Sequence, residues 1–220
     1  MKKYLLSILA LGATMMMACE PANNDNNGGN GGDPAPIVAD YTLSTDVIEV
    51  ILENYGDYYE VGINDYNLTV GAMTEDGKIK MLFVEYMTEL SNKTGEGVFG
   101  PAGINWETDE GLAANTYIDA TEIEGEIIGS GYVEVDMATK DYIVYDGIVG
   151  GNLTVKKEGE NYVVKGVLTT LKGKTLKVDY TGPVTFDDYS DVGGGAAPLS
   201  VKKNVKANKY FSSAVKFLKK

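Results

Sequence analysis

Acidic side chains dominate the chemistry that this 220-residue chain could perform. Glu107, Asp109 and Glu110 crowd around Trp106, the only tryptophan. Glycoside hydrolysis needs two carboxylates facing each other across a sugar, one of them an acid and the other a base or nucleophile. Spacing alone brings no two of these face to face, and with 32 Asp and Glu such clusters arise by chance. Asp187, Asp188 and Asp191 form a second group. Their hard oxygens suit calcium, but the spacing is not that of an EF-hand loop, and a solvated acidic turn is the simpler reading.

The remaining catalytic inventory is short. The chain has no His, Arg or Gln, and all 19 of its basic residues are Lys. Without His there is no Ser-His-Asp triad, no Cys-His pair and no imidazole metal ligand. Without Arg there is no bidentate clamp for carboxylate or phosphate. No phosphate-binding or dinucleotide-binding glycine fingerprint occurs, because Gly193, Gly194 and Gly195 do not lie between a strand and a helix of the required kind. No catalytic residue, cofactor or metal is expected, and an enzyme is the rival class. Fifteen Tyr against five Phe is more suggestive. A strand Tyr offers a flat apolar ring with a polar tip, suited to stacking on a sugar or an amphipathic ligand. It is also simply a good strand former that tolerates a half-wet face. Trp106, Tyr58, Tyr59 and Tyr86 are the candidate ligand-binding residues.

The single cysteine, Cys19, has a different chemistry. Lys2 and Lys3 precede an apolar run, residues 4–18, that ends in small residues, the layout of a secretory signal peptide spanning 1–18. The run is too short for a comfortable membrane span of about 20 residues. Met16, Met17, Ala18 and Cys19 resemble a bacterial lipobox, in which the cysteine is thiol-acylated and becomes residue one after cleavage. A disulfide framework would need an even set of cysteines, so lipidation accounts for a lone one. Residues 19–37 then form an acylated cysteine and a Gly/Asn-rich tether with no apolar periodicity. A coil of that length spans roughly 20–25 Å, enough to hold a domain off a membrane. The mature chain would carry 17 Lys against 32 acids, a net charge of −15, which argues against a nucleic-acid partner.

Residues 38–191 read as β throughout. Ile48, Val50 and Leu52 alternate with Glu49, Ile51 and Glu53; Tyr66, Leu68, Val70 and Ala72 alternate with Asn67, Thr69 and Gly71. The same period-two pattern recurs at 78–86, 132–137, 142–145, 153–157, 162–169, 175–180 and 184–186, the signal of half-buried strands. "EDGK", "KEGEN" and "LKGK" supply turn chemistry between them. Residues 91–114 are Gly-rich and irregular. Consecutive hairpins over about 150 residues predict an all-β fold, an antiparallel up-and-down β-barrel, with a β-sandwich as the alternative. "YNLTVGAMTEDGKIKM" from Tyr66 and "YVVKGVLTTLKGKTLK" from Tyr162 echo each other in the leading Tyr and the Gly-Lys turn.

"GGNLTVKKEGENYVVKGVLTTLKGKTLKVDYTGPVTF" (150–186) resembles a pattern in Bacteroides-type surface lipoproteins, in which a Gly-Gly pair opens a hairpin and "YTGP" closes the next strand. "YGDYYEVGINDYNLTV" (55–70) resembles the opening hairpin of that family, and "FGPAG" (99–103) its central element, with Ile104 and Asn105 where an aromatic usually follows. The resemblance implies a lipocalin-like β domain, outer-membrane attachment through acylated Cys19, and often display at the cell surface. It brings no catalytic residues.

Residues 192–220 read as a Gly linker and a basic tail. From 199 onward there are seven Lys and no acid, and Val201, Val205, Phe211, Val215 and Leu218 would share one side of a helix. Docking on the acidic domain, lying on an anionic membrane, and disorder all fit this pattern, with disorder or loose docking preferred. The expected protein is an envelope lipoprotein whose β domain is a non-catalytic binding or structural module for a glycan or small amphipathic ligand. The alternative is a glycan hydrolase with paired carboxylates.

Overall fold

The computed structural model describes residues 37–44, 46–104 and 110–192. The fold is all-β. In chain order the strands are β1 (Tyr41–Leu43), β2 (Val47–Gly56), β3 (Ile63–Met73), β4 (Lys78–Glu89), β5 (Gly97–Pro101), β6 (Thr116–Tyr117), β7 (Thr121–Ile123), β8 (Glu126–Ile128), β9 (Gly131–Asp136), β10 (Tyr142–Glu158), β11 (Asn161–Thr170), β12 (Thr175–Gly182) and β13 (Thr185–Asp188). A 3-10 turn, Ser190–Val192, follows. The Gly-containing turns sit where the sequence places them: Gly77, Gly159 and Gly173 all adopt positive φ between paired strands. Two segments read as separate strands, 142–145 and 153–157, are one long strand, β10. The irregular middle, 91–114, contains β5, and β6 and the β7-β8 hairpin follow it; all four strands are too short to show periodicity.

The barrel closes in two ways. β4, β6, β5, β10 and β9 form a ring in which each strand pairs with the next. Around it, β2, β3, β4, β9, β10, β11 and β12 follow one another as antiparallel neighbours. A meander with an odd number of strands brings its first and last strands together running in the same direction. That is the arrangement found: β1 pairs with β12 and β13 pairs with β2, both in parallel. The up-and-down barrel expected from the hairpins is therefore present, with a parallel seam as its closure.

Inward side chains from every wall of the barrel fill its interior. Leu43, Leu52, Leu68, Val84, Tyr132, Ile148, Leu153, Val164 and Leu176 belong to one continuous buried cluster. Fully burying a residue of this kind stabilises the fold by about 1.5–3 kcal/mol. β10 serves both the β9 side and the β5 side by bending at a bulge between Ile148 and Gly150. Gly151 beside it has φ +89°, and a Cβ there would sit 2.1 Å from the Val167 carbonyl oxygen. The Gly-Gly pair thus lies within a strand, and at Gly151 two backbones approach too closely for any side chain.

Candidate functional site

Tyrosine hydroxyls close one end of the barrel. The β4-β5 connection folds across it, and three inward-facing tyrosines donate to its carbonyls: Tyr66 to Asn92 (3.0 Å), Tyr86 to Gly95 (2.8 Å) and Tyr162 to Thr94 (3.1 Å). Asn64 Nδ2 adds donations to the carbonyls of Leu90 and Asn92. Within the connection, Asn92 Oδ1 accepts from the Gly95 backbone N–H. Glu96 ties it to β10 by accepting from the Lys157 backbone N–H (2.9 Å) and the Thr94 hydroxyl (2.6 Å). The Thr94 hydroxyl, followed by that backbone donor, holds the Glu96 carboxyl below its ordinary range. Burial pushes the hydroxyls of Tyr66, Tyr86 and Tyr162 upward, so they stay protonated donors.

This arrangement reassigns one candidate. Tyr86 is fully buried, stacks on Tyr66 at 5.6 Å, touches Phe99 at 4.2 Å and spends its hydroxyl on Gly95. Sequence alternation marks Tyr86 as a strand residue but gives no sign of which face is inside. The ring packs in the core and presents no surface to a ligand. The echo between Tyr66 and Tyr162 has the same cause: each stands one strand-length from its Gly turn and meets the same connection.

Tyr58 and Tyr59 are brought together on the outside, in the turn between β2 and β3. Their rings meet edge to face at 5.1 Å, and Tyr55 joins Tyr58 to Tyr189, on which it stacks at 5.4 Å. Tyr59 donates to Glu85 Oε1 at 2.5 Å. Asp57 braces the turn by accepting from the backbone N–H groups of Val61 and Gly62. Trp106, Glu107 and Asp109 lie outside the described residues, as do Cys19 and the tail; Glu110 is exposed. Asp188 accepts from Asn54 Nδ2 (3.1 Å) and the Ser190 backbone N–H (3.0 Å), and its carboxyl is depressed by the Ser190 hydroxyl first and by that backbone N–H next. Asp187, Asp188 and Asp191 do not gather into a cation cradle, and among the described residues no group of three or more acids does so.

A concavity lies at the parallel seam. Pairing runs out after Leu43 with Val178 and resumes at Ile51 with Thr185. Two local features hold the strands apart. Glu49 and Val47 pair with adjacent residues of β3, so Ile48 bulges out and stands 56% exposed instead of joining Val50 and Leu52 inside. Opposite it, Tyr180 folds back to donate to the Pro183 carbonyl, and a Cβ on Gly182 would meet that hydroxyl at 2.5 Å. Pro183 itself has no N–H to offer a partner strand.

The resulting groove has a volume of about 710 Å³. Ile48, Met73, Ile79, Met137 and Val184 give it an apolar floor, Tyr180 lines one side, and Glu49 is the one carboxylate among its described lining residues. At Met73 it adjoins a smaller recess of about 320 Å³ lined by polar groups, including Thr74, Asp46 and Lys80. Lys80 Nζ stands 3.8 Å from Asp46. An apolar trough continuing into a polar recess with a cation is built for an amphipathic molecule, not for cutting a sugar between two carboxylates. Sequence reasoning missed these residues because the groove arises from a failed pairing between strands more than 130 residues apart. The "YTGP" motif was the one local signal. Compared with known protein families, characterised proteins and solved structures, the chain matches none.

Proposed function

We propose that this chain is a lipid-anchored envelope protein, attached through acylated Cys19 to the outer membrane, whose β-barrel is a non-catalytic binding module for an amphipathic small molecule. The observation that carries the binding reading is the seam groove, apolar along its floor and opening at Met73 into the polar recess that holds Lys80. The apolar part of a ligand would lie against Ile48, Met73 and Val184, and an anionic or polar head would reach Lys80 and Thr74. Burial of a single methylene contributes about 0.8 kcal/mol, so an acyl chain of modest length supplies micromolar affinity without a special contact. The lining favours such a ligand over a glycan, since the groove has one aromatic ring and few outward donors. The signal-like run before Cys19 and the resemblance to surface lipoproteins support the anchor.

The test uses the full mature chain carrying Cys19→Ser and a dansyl-labelled medium-chain fatty acid. Saturable binding at one site is expected, weakened at least tenfold by Ile48→Glu and by Met73→Lys with little change in melting temperature. Lys80→Met should weaken a fatty acid more than the corresponding alcohol. Absence of saturable binding, or binding indifferent to Ile48→Glu and Met73→Lys, overturns the reading.

A further inference from the structure

The outer surface of the barrel is wet on one side and dry on the other. Along β11 and β12 the outward residues are exposed, as for Val167, Lys165 and Asp179, which is the ordinary alternation of a sheet with one solvated face. On β3 and β4 both faces are buried, and on β2 the outward residues Glu49, Ile51 and Tyr55 are half-buried and Glu53 is buried. The outward set includes an apolar group, Met81 (0% exposed) and Phe83 (6%), which cluster with Val133 and Val135 of β9. Farther along the same strands it becomes acidic: Asp65 is 0% exposed, Glu85 3% and Glu53 4%. The described elements in substantial contact with β2, β3 and β4 are their ladder neighbours, with β1, β5 and the 3-10 turn at the ends. None of these forms a second layer over the face.

We infer that the occupant of this face is the chain's own C-terminal segment, residues 199–220, docked as an amphipathic helix. The charge fits: seven Lys and no acid meet a face carrying Glu49, Glu53, Asp65 and Glu85. The apolar residues fit as well, because Val201, Val205, Phe211, Val215 and Leu218 share one helical side that can meet Met81, Phe83 and Val133. Length agrees, since 22 residues of helix span about 33 Å and the twelve residues of β4 about 40 Å. The path is short. The described chain ends in the 3-10 turn against β2, next to this face, and residues 193–198 reach at most about 20 Å. The N-terminal apolar run, by contrast, brings only Lys2 and Lys3 to an acidic surface. Docking places lysines beside these buried carboxylates, and it selects the first of the three readings of the tail.

The decisive measurement places a nitroxide spin label on Ser213→Cys in the full chain with Cys19→Ser, so that the introduced thiol is the only one. Ser213 falls on the polar side of the segment, and the substitution keeps every lysine. The inference requires selective broadening of methyl signals from Met81, Val133 and Val135, unchanged on dilution, while Val167 on the wet side stays sharp. Broadening that appears only when spin-labelled and isotope-labelled chains are mixed would give the face to a second copy and overturn the inference. No broadening at the dry face would overturn it too. As a second readout, Glu53→Lys with Glu85→Lys should release the label from the face while the β spectrum persists; undiminished broadening in that variant refutes the charge complementarity.

Discussion

Tyr86→Phe removes one oxygen from the barrel core and leaves the ring in place. Tyr86 is 0% exposed, and its hydroxyl is the side-chain donor to the Gly95 carbonyl at 2.8 Å. The substitution makes almost no change in volume, so the cavity contribution is small. What is lost is a buried hydrogen bond, and what is left is a carbonyl deprived of that donor. Leaving a buried polar group unsatisfied costs about 1–3 kcal/mol. For a domain of this size that corresponds to a melting temperature lower by roughly 2–12 °C. The effect should be local as well as global. The Gly95 N–H, bonded to Asn92 Oδ1 in the same connection, should exchange faster with solvent. Thermal melts followed by circular dichroism measure the first effect and amide hydrogen exchange the second. Tyr142→Phe is the control, because Tyr142 is half exposed, and it should stay within about 0.5 kcal/mol of wild type. If Tyr86→Phe melts with the wild type, or if both variants lose the same stability, the account of Tyr86 as a donor closing the barrel is wrong.

Gly151→Ala should destabilise the barrel by about 3 kcal/mol or more, combining positive-φ strain with a Cβ driven into the Val167 carbonyl; a melt near that of wild type would show that β10 can bend elsewhere. Glu96 has a depressed carboxyl when folded, so its contribution is complete above the unfolded-state value and disappears as pH falls through the folded one. Glu96→Gln should therefore be less stable than wild type at pH 7, with the gap closing towards pH 3, and a gap constant across that range would contradict the assignment. Cys19→Ser should abolish fatty-acid labelling and release the protein from membranes, as read by fractionation; a variant that stays in the membrane fraction removes lipidation as the anchor. The melt should also be indifferent to reductant, since the chain holds only one cysteine.

Much of the barrel was legible in the sequence because its strands are local objects. Alternation at 66–72, 78–86, 162–169 and 175–180, with Gly at the turns, reports half-buried hairpins wherever they pair, and the hairpins fix which strands are neighbours. Composition alone removed imidazole and guanidinium chemistry. What the sequence could not decide depends on residues far apart. Whether Tyr86 faces a ligand or the core depends on which face of β4 the other strands enclose, and period two is silent about inside and outside when both faces are buried. Ile48 fits the alternation but leaves the core through a bulge, visible only in its register against Ala72 and Gly71. The seam groove needs β1, β2, β12 and β13 at once. Tertiary closure alone determined that an odd meander must end in a parallel pair, and that the pair would part at Pro183 to leave an apolar trough beside Met73.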